Sequence, residues 1–173
     1  MKITIRQETI HDYSQIKKVN DEAFGQENEG NLIDKLRFNP GFIPGLSIVA
    51  ECNEVIIGHI LFFPIKVRGV TASYESLALA PVSVKPEFQN KGIGGQLIIY
   101  GLDKARELGF HSVIVLGHKH YYPRFGFEPV GKWGINAPFD VPAEAIMALE
   151  LVPDGLKGVS GTVEYPEEFD DVG

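Results

Sequence analysis

Only one cysteine, Cys52, stands among the 173 residues of the chain. A single thiol excludes an intrachain disulfide and a cysteine-rich metal cluster, and it points to a reducing, cytoplasmic setting. No hydrophobic run exceeds strand length, which excludes a membrane-spanning helix. Positive charge is scarce as well. Sixteen Lys and Arg face 23 Asp and Glu, for a net charge of −7, and such a balance argues against a nucleic-acid partner. The same balance suits a cationic or amine partner, and equally an acidity that serves solubility. No leader is expected, because Met1-Lys2-Ile3-Thr4-Ile5-Arg6 runs straight into a charged segment. Repeats and low-complexity tracts are also missing. With 44% apolar and 23% charged residues, what remains is one globular domain able to bury its own core.

The most informative stretch is Gln89-Asn90-Lys91-Gly92-Ile93-Gly94-Gly95. It follows the β-rich run Leu77–Val84 and opens a helical pattern that reaches about Leu108. Glycines at a helix start let backbone N–H groups approach a ligand, and the helix dipole favours an anion there. The context is that of a phosphate cradle. A P-loop would need Lys and then Ser or Thr after its last glycine, whereas Gln96 and Leu97 follow Gly95. A dinucleotide fingerprint would need a third glycine where Leu97 stands. A second block follows the buried-strand run Val113–Gly117: His118-Lys119-His120-Tyr121-Tyr122-Pro123-Arg124-Phe125-Gly126-Phe127.

Gln-x-x-Gly-x-Gly resembles the acetyl-CoA loop of the GNAT N-acetyltransferases. A Tyr four residues before Gly-Phe, just after strand 5, is similar to that family's catalytic tyrosine. The string from Leu116 to Phe127 resembles the YhbS-like branch of bacterial acetyltransferases. The resemblance runs from the N-terminal strand to about Val152. It implies a GNAT domain over residues 1–152, with 153–173 as an extension packed on it or trailing from it. The implied fold is α/β (α+β): a mixed, mostly antiparallel twisted sheet of about seven strands. Helices cover both faces, and strands 4 and 5 splay to admit the pantetheine arm.

The implied reaction is acetyl transfer from acetyl-CoA, without metal, to a primary amine on a small molecule or peptide by direct attack. A catalytically idle acyl-CoA sensor is the rival reading. Homodimers are common in the family. Carried onto this chain, Val82, Ser83 and Val84 offer backbone groups to pantetheine. Gln89, Asn90, Lys91, Gly92, Ile93, Gly94 and Gly95 cradle the pyrophosphate. Tyr122 protonates the leaving thiolate; a phenol of pKa about 10 meets a thiol of about 8.5. Glu75 is the candidate general base, with His118 and His120 as rivals. The resemblance also places the acceptor pocket along the first two helices.

The remaining pattern fills in the elements. A strand is expected near Ile3–Arg6. A helix capped by Thr9 follows from about His11, with Ile10, Ile16, Val19 and Phe24 as apolar positions. A second helix spans Asn31–Phe38, and Asn39-Pro40-Gly41 ends it. Strands are expected at Leu46–Cys52, Glu54–Val67 and Ser73–Val84, the last opened by Pro81. The helix after the glycine loop carries Ile93, Leu97, Ile98, Gly101, Leu102, Ala105 and Leu108 on its apolar side, with Gly109 closing it. A strand at Ser112–Leu116 precedes a hairpin of Phe127–Gly131 with Ala145–Leu151. Trp133 sits in the long loop between them as a possible lid, and the acidic end, Glu167–Asp171, is expected to fray.

Overall fold

The computed structural model describes residues 1–171. Its secondary elements are β1 (Thr4–Gln7), α1 (Tyr13–Phe24), α2 (Asn28–Leu36), β2 (Ser47–Cys52), β3 (Val55–Arg68), β4 (Ser73–Val84), α3 (Ile93–Glu107), β5 (Ser112–Leu116), β6 (Glu128–Pro129), β7 (Ile135–Asn136), β8 (Ile146–Glu150) and β9 (Gly161–Glu164). Along the hydrogen-bonded path the order is β1-β2-β3-β4-β5-β8-β6, and β9 pairs with both β3 and β7. The β4–β5 and β7–β9 pairs are parallel, and the β1–β2, β2–β3, β3–β9, β5–β8 and β6–β8 pairs are antiparallel. This is the mixed, mostly antiparallel sheet read from the sequence. It has nine strands among the described residues rather than about seven. The additional β7 and β9 are two and four residues long, too short to show an alternating pattern.

Two compact units share the chain. The first gathers Met1–Phe63, Ala80–Lys104 and the segment from Glu167; the second gathers Pro64–Leu79 and Ala105–Pro166. In the first unit, alternation along β2 and β3 sends successive side chains to opposite faces. Val49, Leu61 and Phe63 meet Ile16 and Val19 of α1 and Leu32, Ile33 and Leu36 of α2. On the other face Gly101 of α3 lies against the Phe62 ring, and Leu97 against Gly58. Helices therefore cover both faces of this part of the sheet. In the second unit Ile65, Val67, Ala78, Ile114, Ile146 and Ala148 form the core, with Trp133 packed at its margin.

Three apolar positions expected on helix faces are exposed, among them Phe24 (40% exposed), the last residue of α1. Ile10 (71% exposed) lies in a 3-10 turn before α1, so its spacing to Ile16 is not helical. Leu108 (52% exposed) lies one residue beyond the end of α3. The acidic end is ordered rather than frayed. Glu167–Asp171 forms a 3-10 turn, Asn39 Nδ2 donates to Glu168 Oε2 (2.9 Å), and the Phe169 ring packs edge-on against Phe63.

The face under α1 and α2 also buries a polar chain. Arg37 donates through Nη2 to Glu8 Oε1 (2.8 Å) and through Nε to Oε2 (3.2 Å). Ser47 Oγ donates to Glu8 and lies 2.9 Å from His59 Nε2. The Arg37 guanidinium stacks 3.8 Å above the Tyr13 ring. A buried pair of this kind is costly to break, because one charge is then left uncompensated.

Burial, with Arg37 nearby, pushes the His59 imidazole down to about 3. The folded imidazole is therefore neutral down to about pH 3, whereas the unfolded one takes up a proton near its ordinary value of about 6.5. Its contribution to stability is full above the unfolded value and is lost as pH falls towards the folded one. Urea unfolding between pH 7 and 5 should show stability declining on acidification, with a slope approaching about 1.4 kcal/mol per pH unit for this one proton. The slope should be smaller in His59→Gln. Asp12, held below the usual carboxylate range by Arg6, adds its own loss only at lower pH.

Candidate active site

The site begins with the end of β4. The Gly69 N–H donates to Ala72 O (2.8 Å) in the turn that joins β3 to β4, so these neighbours run antiparallel. The Lys85 N–H donates to Ile57 O (2.8 Å), and Ser83 O lies 3.2 Å from where a Cβ of Gly58 would stand. Ser83 and Lys85 thus turn their backbone groups towards β3. Strand alternation turns the N–H and C=O of Val82 and Val84 to the other edge. The β4–β5 ladder is only two pairs long, Leu77 with Val113 and Ala78 with Ile114. The bond between Ala80 and Pro81, two residues on, is cis.

Two residues back along β4 and two residues on along β3 from the Lys85–Ile57 bond, Ser83 stands across from His59. Ser83 Oγ and His59 Nδ1 are both buried without a protein partner. The Ser83 side chain therefore faces the polar chain beneath α2.

Gln89 ties the strand to the loop, its Nε2 donating to Val84 O (2.9 Å). Asn90 (φ +63°) and Gly92 (φ +82°) then take the left-handed conformation that swings the chain into α3. The first helical bond runs from Gln96 N to Gly92 O (3.1 Å). The N–H groups of Ile93, Gly94 and Gly95 precede it and point away from the helix start, towards which the helix dipole draws anions. Lys91 is exposed, with its Nζ 5.9 Å from the Phe88 ring.

In the second unit, Gly117 follows β5 and donates to Ala145 O (2.8 Å). The loop then turns back, Tyr122 N reaching His118 O (3.3 Å), and a 3-10 turn over Tyr122–Phe125 ends at Gly126 (φ +100°). This turn lays the Tyr122 ring on Gly117, where any Cβ would overlap the ring. Tyr121 and Phe127 meet it edge-on at 5.1 and 5.6 Å. Burial pushes the Tyr122 phenol up to about 12, so it keeps its proton at neutral pH. Tyr121 is only half-buried and lies outside Tyr122, with Arg124 4.7 Å over its ring.

Beside Gly117 opens a cleft of about 490 Å³. Leu116, Gly117, His118 and Lys119 form one wall, and Val141, Pro142, Glu144 and Ala145 the other. Glu144 and Lys119 form an ion pair of 3.6 Å. Nothing in the sequence pattern marks Glu144 or Val141. The β5–β8 pairing, with Leu116 opposite Ile146, brings them to the end of β5.

His118 and His120 are both exposed, and only His118 lines this cleft. Glu75 is exposed on β4, two residues before Leu77 and so level with His111. The end of β5 at Leu116 lies about 17 Å farther along, at roughly 3.3 Å per residue. The structure does not bring Glu75 to the Tyr122 loop. Trp133 packs on the core of the second unit and is not part of the cleft. Among the described residues no group of His, Cys, Asp or Glu is placed to hold a metal ion.

A glycine-opened helix start after a strand that carries a cis Ala80–Pro81 bond, with a buried tyrosine after the next strand, is the arrangement of a GNAT acetyltransferase. The family described as "Acetyltransferase (GNAT) domain" matches residues 4–130, and the chain belongs to it. The chain is 39% identical over 148 residues to the uncharacterized N-acetyltransferase YjhQ of Escherichia coli, covering 82% of each protein. It is 33% identical over 148 residues to the uncharacterized N-acetyltransferase YhbS of the same organism, covering 85% of this chain and 86% of that one. The crystal structure of Escherichia coli YhbS in complex with CoA superposes with a TM-score of 0.92 at 30% identity, covering 100% of this chain and 94% of that one. A Brucella melitensis GNAT acetyltransferase in complex with acetyl-CoA follows at 0.80 and 33% identity, covering 98% and 99%.

Proposed function

We propose that the chain transfers the acetyl group of acetyl-CoA to a primary amine by direct attack. One observation carries this reading. The edge of β4 at Val82 and Val84 is joined, through the Gln89 bond to Val84 O, to a helix start with free N–H groups. Pantetheine amides pair with Val82 and Val84. The pyrophosphate takes the N–H groups of Ile93, Gly94 and Gly95, with Asn90, Lys91 and Gly92 shaping the approach. Ser83 acts indirectly, by holding the strand against β3. The solved relatives that contain CoA and acetyl-CoA support CoA as the ligand.

The reaction needs a neutral amine. His118, on the wall of the cleft, receives the ammonium proton in preference to Glu75. The nitrogen then attacks the thioester carbonyl. The C–N bond forms, the C–S bond breaks with its electron pair going to sulfur, and Tyr122 hydrogen-bonds to the departing sulfur.

The test combines calorimetric titration of CoA with free-thiol release across panels of amines, amino acids and peptides. Micromolar CoA binding with amine-dependent thiol release is expected. Binding without release would instead mark a CoA-binding sensor, and absence of binding overturns the reading. In the same assay Glu75→Gln should leave the pH–rate profile unchanged. His118→Asn should lower the rate more at pH 6 than at pH 8, because a base matters most when the amine is mainly ammonium. A profile changed only by Glu75→Gln would return the role to the carboxylate.

A further inference from the structure

Of the cleft beside Gly117 the acetyl-transfer reading uses only His118; the rest of its lining has a chemistry of its own. Its volume of about 490 Å³ falls in the range of small-molecule sites, roughly 300–1,000 Å³. Leu116, Val141, Pro142 and Ala145 make its walls apolar, and Leu116 leaves 46% of its surface exposed there.

Opposite charges meet on this surface, Lys119 Nζ 3.6 Å from Glu144 Oε1, with about half of each side chain exposed. An exposed pair of this length contributes little to stability, so it opens readily to a ligand that offers both charges. One carbon separates the two charged groups of an α-amino acid, and its nitrogen and carboxyl carbon lie about 2.5 Å apart. Such a dipole matches the Lys119–Glu144 pair head to tail. Gly117 belongs to both the cleft and the seat of the Tyr122 ring, so a ligand in the cleft lies beside the proposed hydrogen-bond donor to the sulfur.

We propose that this cleft takes an α-amino acid with an apolar side chain as the acetyl acceptor, its carboxylate on Lys119, its ammonium guided by Glu144 and its side chain against Leu116 and Val141. The proposal rests on the acetyltransferase reading above and names its substrate class. The ammonium first gives one proton to His118. The α-nitrogen then attacks the thioester carbonyl, so that C–N forms and C–S breaks. The second nitrogen proton passes to the sulfur as the amide forms, so that CoA leaves as the thiol. The net change is amino acid plus acetyl-CoA to N-acetyl-amino acid plus CoA.

The test compares leucine, leucinamide, 3-methylbutylamine and glycine as acceptors by thiol release, with CoA titrated into the same protein. Leucine should show a kcat/KM at least tenfold above the other three. Lys119→Met should raise the KM for leucine at least tenfold with a smaller change in kcat, and should collapse the preference for leucine over 3-methylbutylamine. Glu144→Gln should raise the KM for leucine with thermal stability unchanged. The proposal is overturned if leucinamide or 3-methylbutylamine is used as well as leucine, or if Lys119→Met leaves the preference intact. Amine turnover that ignores the carboxylate defeats only the substrate class, whereas CoA binding with no turnover of any amine defeats the acetyltransferase reading.

Discussion

Tyr122→Phe should lower kcat by roughly 10²–10³-fold, the loss typical of removing one preorganised donor from a developing charge. The size follows from where the phenol sits. A phenol near its ordinary value of about 10 would be a general acid for a thiolate whose conjugate acid lies near 8.5. Burial between Gly117, Tyr121 and Phe127 pushes Tyr122 up to about 12. Full transfer to a free thiolate is then uphill by about 3–4 units, close to 5 kcal/mol at 1.36 kcal/mol per unit. The phenol therefore acts chiefly as a hydrogen-bond donor to the sulfur as charge develops, and the nitrogen's proton supplies the thiol in the end. The phenylalanine keeps the edge-on ring contacts, so CoA affinity should move by less than about tenfold, in line with one hydrogen bond of roughly 0.5–1.5 kcal/mol. Tyr121→Phe, which keeps the edge-on contact with the Tyr122 ring and removes only a half-buried hydroxyl, is the control and should be mild. Gly117→Val should reproduce the loss by displacing the ring. Equal rates for Tyr122→Phe and wild type, or a larger loss in Tyr121→Phe, would reject the assignment.

What could be read from the sequence was what depends on near neighbours in the chain. The Gln89–Gly95 turn, β4 at Ser73–Val84 and β5 at Ser112–Leu116 stand where periodicity and turn residues put them, because each is decided by a few consecutive side chains. The placement of Tyr122 after β5 is of the same kind. What was not legible depends on pairing across long separations. Glu144 reaches the cleft only because β8 pairs with β5. Glu168 and Phe169 are held by Asn39 and Phe63, more than a hundred residues earlier, so a charged, terminal-looking segment is fixed in place. The orientation of Ser83 was hidden as well. A run of Val-Ser-Val does not say which of its amides turns to β3 and which to the open edge; the Lys85–Ile57 bond does. His59 reads as an ordinary strand residue, and only the convergence of Arg37 from just after α2, Glu8 from just after β1 and Ser47 from β2 makes it the buried neutral imidazole it is.

Gly94→Glu should weaken CoA binding at least 100-fold and at the same time raise thermal stability. Gly94 is the second residue of α3, where the first-turn N–H groups await an anion. A carboxylate about 5 Å from one phosphate charge is opposed by about 3 kcal/mol at an effective dielectric of 20, or roughly 100-fold in affinity, and CoA carries more than one such charge. The same substitution suits the helix. An acidic side chain in the first turn is worth about 0.3–1 kcal/mol against the dipole, and replacing a helical glycine adds about 0.5–1 kcal/mol. Binding and stability therefore move in opposite directions, which a merely misfolded variant cannot do. Gly94→Gln separates bulk from charge, since it has nearly the same volume and no charge. The difference in affinity between the Glu and Gln variants should shrink as salt rises and the Debye length falls from about 10 Å at 0.1 M to about 3 Å at 1 M. Calorimetry of CoA at two salt concentrations, with melting curves of the free proteins, gives the affinities, their salt dependence and the stabilities. If Gly94→Glu binds CoA as wild type does while its melting temperature rises, the helix forms as described and the pyrophosphate lies elsewhere.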